Sequence, residues 1–427
     1  MKSPIWHPFT QMKSSPHPLK VKSGKGIWLE LEDGRKIMDL VSSWWVNIHG
    51  HSQPDIAKAI YDQALKLEHV IFAGFTHDSA EELAHRLLPY LPDSLERIFF
   101  SDNGSTAVEV ALKMAYQYWI NNGDKRKTSF IAFEGSYHGD TLGAMSAGSR
   151  SIFSNCFDEL MFEVNYVPYP GTFIGDDEVE QKEEASLNAI DGLLTADPSK
   201  YAALIIEPLV QGAGGMNMCR PEFLKKLSKL IREHEILLIY DEVMTGFGRT
   251  GDWFASVLSD TTPDLMCMSK GITGGFLPLS VTACSENIYQ AFYSDDPMKT
   301  LYHGHSYTAN PLGCAAAVAS LTLLENNPEM FKGMSRHHFQ FAEELLKLED
   351  VEKVRICGTI IAFDIMTDQE SGYLNRASET IKKLALSKNM LLRPLGNTLY
   401  LMPPYCIAKE ELHSAYEGIL EILEQIQ

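Results

Sequence analysis

The stretch Ile236-Leu237-Leu238-Ile239-Tyr240-Asp241-Glu242-Val243 decides the fold class of this chain. An unbroken apolar run that stops at polar residues is typical of a short strand buried on both faces of a sheet. A carboxylate at the end of such a strand needs a partner, because an unpaired buried charge is costly. Asp241 therefore either caps a loop or pairs with an arginine such as Arg249, or it serves a functional site, and this stretch alone leaves both interpretations open.

Similar apolar runs recur along the chain and alternate with helical periodicity, as in residues 54–68. The predicted strands of this kind are 97–100, 129–133, 202–206, 236–240, 265–268 and 280–283. Short strands that alternate with helices predict an α/β fold with a mostly parallel sheet.

The two ends of the chain have a different pattern. Residues 27–31 and 36–40 flank an Asp-Gly turn and predict a hairpin. After a helix at 312–324, the predicted elements are a strand at 360–365, a helix at 375–388, strands near 391–393 and 398–402, and a helix at 409–426. We predict a large domain over 54–310 and a smaller α+β domain built from 1–53 and 311–427. The acidic stretch 176–184 is predicted to be a solvated loop or helix start.

Composition excludes several function classes. The 427 residues carry a net charge of −19, which disfavours nucleic acid and anionic membrane surfaces as partners. No apolar stretch reaches the roughly 18 residues that span a bilayer, and residues 1–18 do not resemble a signal peptide. The seven cysteines are scattered and odd in number, which predicts free thiols in a reducing compartment and no zinc site. We therefore expect a cytoplasmic protein without a metal.

Lys270 closes another apolar run, Asp264-Leu265-Met266-Cys267-Met268-Ser269-Lys270-Gly271. Lysine is rarely buried without a partner or a function. Desolvation lowers the pKa of a lysine and makes its neutral, nucleophilic form accessible. The alternative is a lysine whose charged end reaches solvent, and the run by itself favours that alternative.

A candidate anion site follows the strand at 97–100. The run Ser101-Asp102-Asn103-Gly104-Ser105-Thr106 opens a predicted helix at 107–120. A helix N-terminus offers free N–H groups and a positive dipole, with the Ser105 and Thr106 hydroxyls beside them. An ordinary helix cap explains the same residues. The run Gly212-Ala213-Gly214-Gly215 is a weaker candidate, since Asn217 stands where a dinucleotide loop needs its third glycine.

The spacing of Asp241 and Lys270, 270 − 241 = 29 residues, resembles the signature of the class III (ω-) aminotransferases, which are fold-type I enzymes dependent on pyridoxal 5′-phosphate (PLP). The runs 245–251 (TGFGRTG) and Pro263-Asp264 fit that signature, and the resemblance covers nearly the whole chain. It implies that Lys270 binds the cofactor covalently and moves a proton. It also implies that Asp241 pairs with the ring nitrogen and that Val243 packs on one face of the ring.

Other cofactor contacts are implied by the same resemblance. Tyr137 would stack on the opposite ring face and Asp140 would hold neighbouring groups, while Glu207 matches a carboxylate near the cofactor. Asn103, Gly104 and Ser105 match the phosphate loop. The segment 303–311, with Gly304, His305 and Ser306, matches the part that reaches the neighbouring subunit's cofactor phosphate, which implies a homodimer with shared sites. His138, His303 and His305 have no further ligand at metal spacing, so no metal is predicted.

Within the family, three segments resemble the branch that works in biotin synthesis. They are 6–11 (WHPFTQ), 42–45 (SSWW) and 393–405 (RPLGNTLYLMPPY). The resemblance implies 8-amino-7-oxononanoate as the acceptor and S-adenosylmethionine as the amino donor. The residues that it implies in substrate binding are Phe9, Trp44, Trp45, Tyr137, Gly304, Arg393 and Tyr400.

Physical chemistry supports part of this assignment. Tryptophans can line an apolar channel and arginine can bind a carboxylate bidentately, although core packing explains the tryptophans equally well. On a strand, Trp44 and Trp45 would face opposite ways, so one of them would line the site. Phe9 stands where the adenosylmethionine-using pattern has tyrosine, and His305-Ser306 replace the usual Pro-Thr, so lysine stays open as the donor. The rival hypotheses are another ω-aminotransferase (4-aminobutyrate, ornithine or a diamine), a PLP aminomutase, and a non-catalytic PLP carrier.

Overall fold

The structure is a computed structural model that describes residues 4–366 and 376–426. The predicted helix start at residue 375 lies outside the described residues. The strands are β1 (Val21–Lys25), β2 (Trp28–Leu31), β3 (Lys36–Asp39), β4 (Leu95–Ser101), β5 (Ser129–Phe133), β6 (Val164–Val167), β7 (Tyr201–Ile206), β8 (Val210–Gln211), β9 (Asn217–Met218), β10 (Leu237–Asp241), β11 (Leu265–Met268), β12 (Ser280–Ser285), β13 (Val351–Cys357), β14 (Ile360–Ile365), β15 (Met390–Leu391) and β16 (Thr398–Leu401).

Fourteen α-helices accompany these strands within the described ranges. They are α1 (Ser42–Trp45), α2 (Pro54–Lys66), α3 (Asp78–Leu87), α4 (Gly104–Asn121), α5 (Leu142–Ala147), α6 (Val179–Ala196), α7 (Pro221–Glu233), α8 (Ala255–Leu258), α9 (Glu286–Phe292), α10 (Pro311–Asn326), α11 (Glu329–Lys332), α12 (Met334–Leu345), α13 (Arg376–Ser387) and α14 (Lys409–Ile426). None of the described helices is long and apolar enough to cross a membrane.

The central sheet has seven strands in the order β4-β12-β11-β10-β7-β5-β6. Each neighbouring pair is parallel except those of β12, which runs antiparallel to β11 and to β4. The predicted α/β fold with a mostly parallel sheet is therefore confirmed. In the register of β10 and β11, Asp241 lies opposite Cys267, so the carboxyl ends of these two strands share one edge of the sheet.

Helices cover both faces of this sheet, which explains the continuous apolar runs in its strands. Ile239 of β10 packs with Ala107 of α4 in one cluster of buried side chains. Tyr240, the next residue, points the other way and packs with Phe223 and Leu227 of α7. Because helices cover both faces of such a strand, its side chains are apolar along its length. Polar side chains therefore lie at or beyond the strand ends.

The N- and C-terminal parts of the chain meet in a second sheet with the order β1-β2-β3-β15. Strands β2 and β3 form the predicted hairpin, β1 extends it as a third antiparallel strand, and β15 joins β3 in parallel, with Met390 opposite Met38. A third sheet, β13-β14-β16, is antiparallel. The domain boundaries at 53/54 and 310/311 stay a prediction.

Two local predictions were wrong. Trp44 and Trp45 lie on no strand but in α1, a single turn whose residues all have positive φ. The acidic stretch does begin a helix, α6, but Glu183 in it is only 1% exposed, because it accepts hydrogen bonds from Arg220 (2.7 Å) and Lys226 (2.9 Å). Composition alone could not show that two cations from α7 and its N-cap cover this carboxylate.

Two buried histidines predict that the protein becomes less stable in acid. Burial lowers the pKa of His49 and of His338 to about 4. Histidine in the unfolded chain titrates near 6.5, so the unfolded state binds protons first and the folded state loses free energy as pH falls below that value. For His338 alone, the loss between pH 7.5 and pH 5 is roughly 2 kcal/mol.

We expect His338→Gln to remove the contribution of His338 to the pH dependence of the free energy of unfolding, because glutamine does not titrate. Glutamine can still bond the Tyr416 hydroxyl, which lies 2.7 Å from Nδ1 of His338. The measurement is urea unfolding of parent and variant at pH 7.5 and pH 5. His413→Gln, at an exposed position of α14, serves as the control and should leave the dependence as it is. Equal pH dependence in parent and His338→Gln would contradict the prediction.

Candidate active site

A cavity of about 510 Å³ lies at the carboxyl edge of the central sheet, where β4, β5, β7, β10 and β11 end. Several predicted site residues line it together. They are Trp45, Asn103, Gly104, Ser105, Tyr137, Glu207, Asp241, Val243 and Lys270. Chemistry-bearing side chains from six separate segments thus converge on one site, as expected for the strand ends of an open α/β sheet.

Lys270 follows β11 and begins a short 3-10 turn with φ of +44°, a conformation that L-residues adopt rarely. Its Nζ lies 4.6 Å from the centroid of the Trp45 indole. Burial lowers the pKa of Lys270 to about 8, with a further contribution from the Arg249 guanidinium, while Asp241 and Glu207 oppose the shift. A sizeable share of this amine is therefore neutral near physiological pH and able to act as a nucleophile.

Asp241 ends β10 and is anchored on both carboxylate oxygens. Its Oδ2 lies 2.7 Å from Nδ1 of His138, and its Oδ1 accepts the N–H of Val243 at 3.1 Å. Burial alone would lower the pKa of His138, but the contact with Asp241 outweighs it and raises that pKa. The two contacts thus fix the Asp241 carboxylate at the cavity wall, where it can face a cationic group.

The sequence does not predict the contact between His138 and Asp241, since the spacing of His138 from other ligands bears only on metal binding. A usable signal existed: His138 follows Tyr137 in the loop after β5, at the same sheet edge as Asp241. In the described residues, no group of three or more His, Cys, Asp or Glu side chains could hold a metal ion.

The N-terminus of α4 faces the cavity with its first residues. Asn103 caps the helix by accepting the Thr106 N–H at 3.1 Å, and the Thr106 hydroxyl accepts the Asn103 N–H at 3.2 Å. The Thr106 hydroxyl is therefore used in the cap, contrary to its predicted place beside an anion. The N–H groups of Gly104 and Ser105 belong to the first turn, which has no intrahelical acceptor, and they suit a phosphate.

Gly104 allows this helix end to approach Val243 closely. A Cβ at position 104 would lie 2.6 Å from Cγ1 of Val243, well inside van der Waals contact. We expect Gly104→Ala to push the helix N-terminus from the cavity and to weaken PLP binding by roughly 10- to 100-fold, the equivalent of one or two charge-assisted hydrogen bonds.

Equilibrium dialysis of the apoprotein against PLP measures this effect. The matched control is Gly192→Ala in α6, where an added Cβ meets nothing within 4 Å. That variant should keep its PLP affinity and be slightly more stable, because alanine is the better helix former. Unchanged PLP affinity in Gly104→Ala would show that the helix end does not bind the cofactor.

Glu207, after β7, is buried and fixed by backbone donors. Its Oε2 accepts the N–H of Tyr137 at 3.0 Å and its Oε1 accepts that of Gly212 at 2.9 Å. Burial raises the pKa of Glu207 to about 7, and the nearby charge of Asp241 adds to that effect. Burial likewise raises the pKa of Tyr137, together with Asp140, so the phenol stays protonated. Asp140 itself does not line the cavity, but its N–H donates to the Ser105 Oγ at 3.1 Å.

The two tryptophans have different surroundings. Trp45 is 4% exposed, lines the cavity, and donates from Nε1 to the Tyr400 hydroxyl at 2.9 Å. Tyr400 is buried behind Trp45 and does not line the cavity. Trp44 is 39% exposed and contacts the edge of the Phe9 ring, with 5.5 Å between centroids.

Arg393 and the segment 303–306 also lie outside the cavity lining. The Arg393 guanidinium carbon lies 4.2 Å from the Trp44 ring centroid. Gly304 and Ser306 are exposed, and Nδ1 of His305 accepts the N–H of Tyr307 at 3.2 Å within its own loop. The predicted substrate and cofactor roles of these residues stay predictions.

The donor set of the cavity fits PLP. It combines unsatisfied helix amides for a phosphate, an anchored carboxylate for a ring N–H⁺, and an amine with a lowered pKa for a carbonyl carbon. The apolar Val243 and the phenol of Tyr137 line the same space. The close contact between Gly104 and Val243 brings the anion-binding end next to the apolar wall, as a compact phosphorylated ring requires.

Comparison with known proteins gives consistent results. The model of the family described as Aminotransferase class-III matches residues 9–423. Adenosylmethionine-8-amino-7-oxononanoate aminotransferase of Synechococcus elongatus is 53% identical over 422 residues, 99% of each chain. The protein of that name from Geobacter sulfurreducens is 40% identical across 97% of this chain and 94% of its own.

Solved structures agree with these relatives. The crystal structure of adenosylmethionine-8-amino-7-oxononanoate aminotransferase from Methanocaldococcus jannaschii is similar with a TM-score of 0.92 at 34% identity, covering 99% of this chain and 97% of that one. A PLP-bound amine transaminase from an uncultivated Pseudomonas species gives 0.93 at 29% identity, covering 100% and 99%.

Proposed function

Because this chain belongs to the class-III aminotransferase family, we propose that it converts 8-amino-7-oxononanoate to 7,8-diaminononanoate, the amination step of biotin synthesis. The chain is a PLP-dependent aminotransferase of fold type I, as its motifs implied. One observation carries the choice of substrate: relatives that bear the name of this activity match essentially from end to end.

Each polar group of the cavity has its own role in the proposed reaction. Bound PLP supplies a carbonyl carbon that takes up the amino group and a ring that stores electrons released at the substrate carbon. Lys270, whose Nζ is partly neutral, would hold the cofactor at that carbonyl carbon and would carry a proton to and from the substrate carbon. Asp241, fixed by His138, would hold a proton on the ring nitrogen, and the amides of Gly104 and Ser105 would bind the phosphate.

The predicted substrate residues suit a keto acid with a long apolar chain. Trp45 gives the cavity an apolar wall, and its neighbour Trp44 lies against Arg393. The Arg393 guanidinium lies over the Trp44 ring, and we propose that it binds the carboxylate at the far end of the acceptor.

We expect Arg393→Met to raise the KM for 8-amino-7-oxononanoate by roughly 10- to 100-fold, the equivalent of a lost charge-assisted hydrogen bond pair. The KM for the amino donor should change little. Steady-state kinetics with each substrate varied in turn makes the measurement, and Lys383→Met, an exposed lysine of α13, controls for net charge. Equal changes in both KM values would remove Arg393 from acceptor recognition.

The function itself is tested by assaying 7,8-diaminononanoate formation from the keto acid with S-adenosylmethionine and, separately, with lysine. Loss of the visible absorption of the bound cofactor on addition of a donor alone identifies that donor. Bleaching by lysine only would make Phe9 and His305 markers of a lysine site. No product with either donor, together with turnover of 2-oxoglutarate, would favour an ω-aminotransferase for 4-aminobutyrate, ornithine or a diamine.

We also propose that the protein is a homodimer and that it is located in the cytoplasm. A homodimer is supported by Gly304 and Ser306, which are exposed and lie outside the cavity of their own subunit. A cytoplasmic location is supported by the seven cysteines, all of them unpaired.

A further inference from the structure

The turn α1 has a backbone that L-residues seldom adopt in succession. Ser42, Ser43, Trp44 and Trp45 have φ of 49°, 45°, 70° and 75°, and none of them is glycine. Left-handed residues normally occur singly, because Cβ then crowds the following carbonyl oxygen. A run of four must be held in place by its surroundings.

Asp39, the last residue of β3, is fully buried and forms several hydrogen bonds with the turn. Its Oδ1 accepts the N–H of Val41 at 3.2 Å and of Ser43 at 3.0 Å. Its Oδ2 accepts the Ser43 hydroxyl at 2.7 Å and lies 3.0 Å from Nε2 of His51. One carboxylate thus binds both the entry and the second residue of the left-handed turn.

His51 fixes the carboxylate from the other side. Its backbone N–H and C=O pair with Gly26 at 2.7 and 3.2 Å, and its Nδ1 lies 3.0 Å from Nδ2 of Asn47. Burial by itself would raise the pKa of Asp39, but the bonds from His51 and Ser43 outweigh it and lower that pKa. The carboxylate is therefore ionised and cannot rotate freely.

The turn delivers Trp45 to the active site. Its indole enters the cavity wall with Lys270 Nζ 4.6 Å from the ring centroid. A right-handed or extended backbone at the same positions would direct the two tryptophans elsewhere, since φ and ψ set the direction of each Cβ. In this orientation Trp45 Nε1 donates a hydrogen bond to the Tyr400 hydroxyl at 2.9 Å.

We propose that Asp39 is a positioning residue of the reaction, whose buried carboxylate holds the left-handed turn that sets Trp45 against Lys270. The inference rests on the proposed function only in that Trp45 borders the reacting groups. If the Asp39 carboxylate served folding alone, its loss would affect the stability of the whole protein. As a positioning residue, it affects the reaction through the placement of Trp45.

A double-mutant cycle on the PLP-loaded enzyme separates the two. We expect Asp39→Ala to lower kcat/KM by roughly 10- to 100-fold, as for a misplaced site residue. In the Trp45→Ala background the same change should alter kcat/KM by no more than about twofold. An equal loss in both backgrounds would overturn the proposal.

A readout that needs no substrate runs in parallel. The emission of Trp45, taken as the difference between parent and Trp45→Phe, should be quenched by bound PLP in the parent and lose that quenching in Asp39→Ala. Retained quenching would overturn the proposal. Because this readout requires only the cofactor, it decides the role of Asp39 even if 8-amino-7-oxononanoate proves not to be the substrate.

Three further variants protect the test against misfolding. Asp39→Asn keeps the side-chain volume but places an NH₂ group opposite Ser43 and His51, and it should show a smaller loss in the same direction. Adding Ser43→Gly, which adopts positive φ at no steric cost, should restore at least half of that loss. Failure of glycine to rescue would count against the proposal. Glu183→Gln, at a buried carboxylate outside the cavity, should lower Tm and leave the kinetic constants unchanged.

Discussion

Replacing Lys270 with alanine is expected to reduce turnover by at least roughly 10⁴-fold, the upper end of what one positioned proton-transfer group contributes. The alanine can neither bond the cofactor carbonyl nor move a proton at the substrate carbon. No other lysine lines the cavity among the described residues, so no neighbour can substitute for it.

Rapid-quench measurement of one half-reaction, with PLP added in excess, isolates this effect from cofactor loss. Lys127→Ala is the matched control, because Lys127 is also buried but donates to the Glu235 carbonyl at 2.7 Å near the opposite edge of the sheet. That variant should lose stability and keep its turnover. Turnover within tenfold of the parent in Lys270→Ala would exclude every mechanism in which this lysine bonds the cofactor.

Replacing Asp241 with asparagine is expected to lower kcat by roughly 10²- to 10³-fold, the usual effect of removing one preorganised electrostatic group. The neutral amide cannot stabilise a protonated ring nitrogen. It also removes the charge that raises the pKa of His138, so that histidine becomes neutral in a fully buried position. Both changes reduce the capacity of the cofactor ring to accept electrons, without altering the shape of the cavity.

The measurement is single-turnover kinetics together with the pH dependence of the cofactor absorption band, which should shift in Asp241→Asn because the ring nitrogen loses its proton. Asp264→Asn provides the control, since that carboxylate precedes β11, at the opposite end from Lys270, and accepts the Leu238 N–H at 2.8 Å. A spectrum and rate equal to those of the parent would show that Asp241 does not contact the ring.

The sequence by itself determined the α/β fold and two residues of the candidate active site, Asp241 and Lys270. A strand enclosed on both faces has to be apolar at every position, so β10 and β11 are visible as unbroken runs. For the same reason, Asp241 and Lys270 stand out as polar residues at or just beyond the strand ends. Both signals are local, and parallel pairing then brings the two residues to one edge of the sheet.

The tertiary structure decided what depends on contacts between distant segments or on backbone conformation. His138 meets Asp241 across 103 residues of chain, and Tyr400 supports Trp45 across 355, distances over which no periodicity carries information. The left-handed turn at Ser42–Trp45 contradicts the propensity of its two tryptophans for strands, because hydrogen bonds from Asp39 and His51 stabilise the unusual conformation. Local patterns fix which residues are buried, whereas hydrogen bonds between remote segments fix where each side chain points.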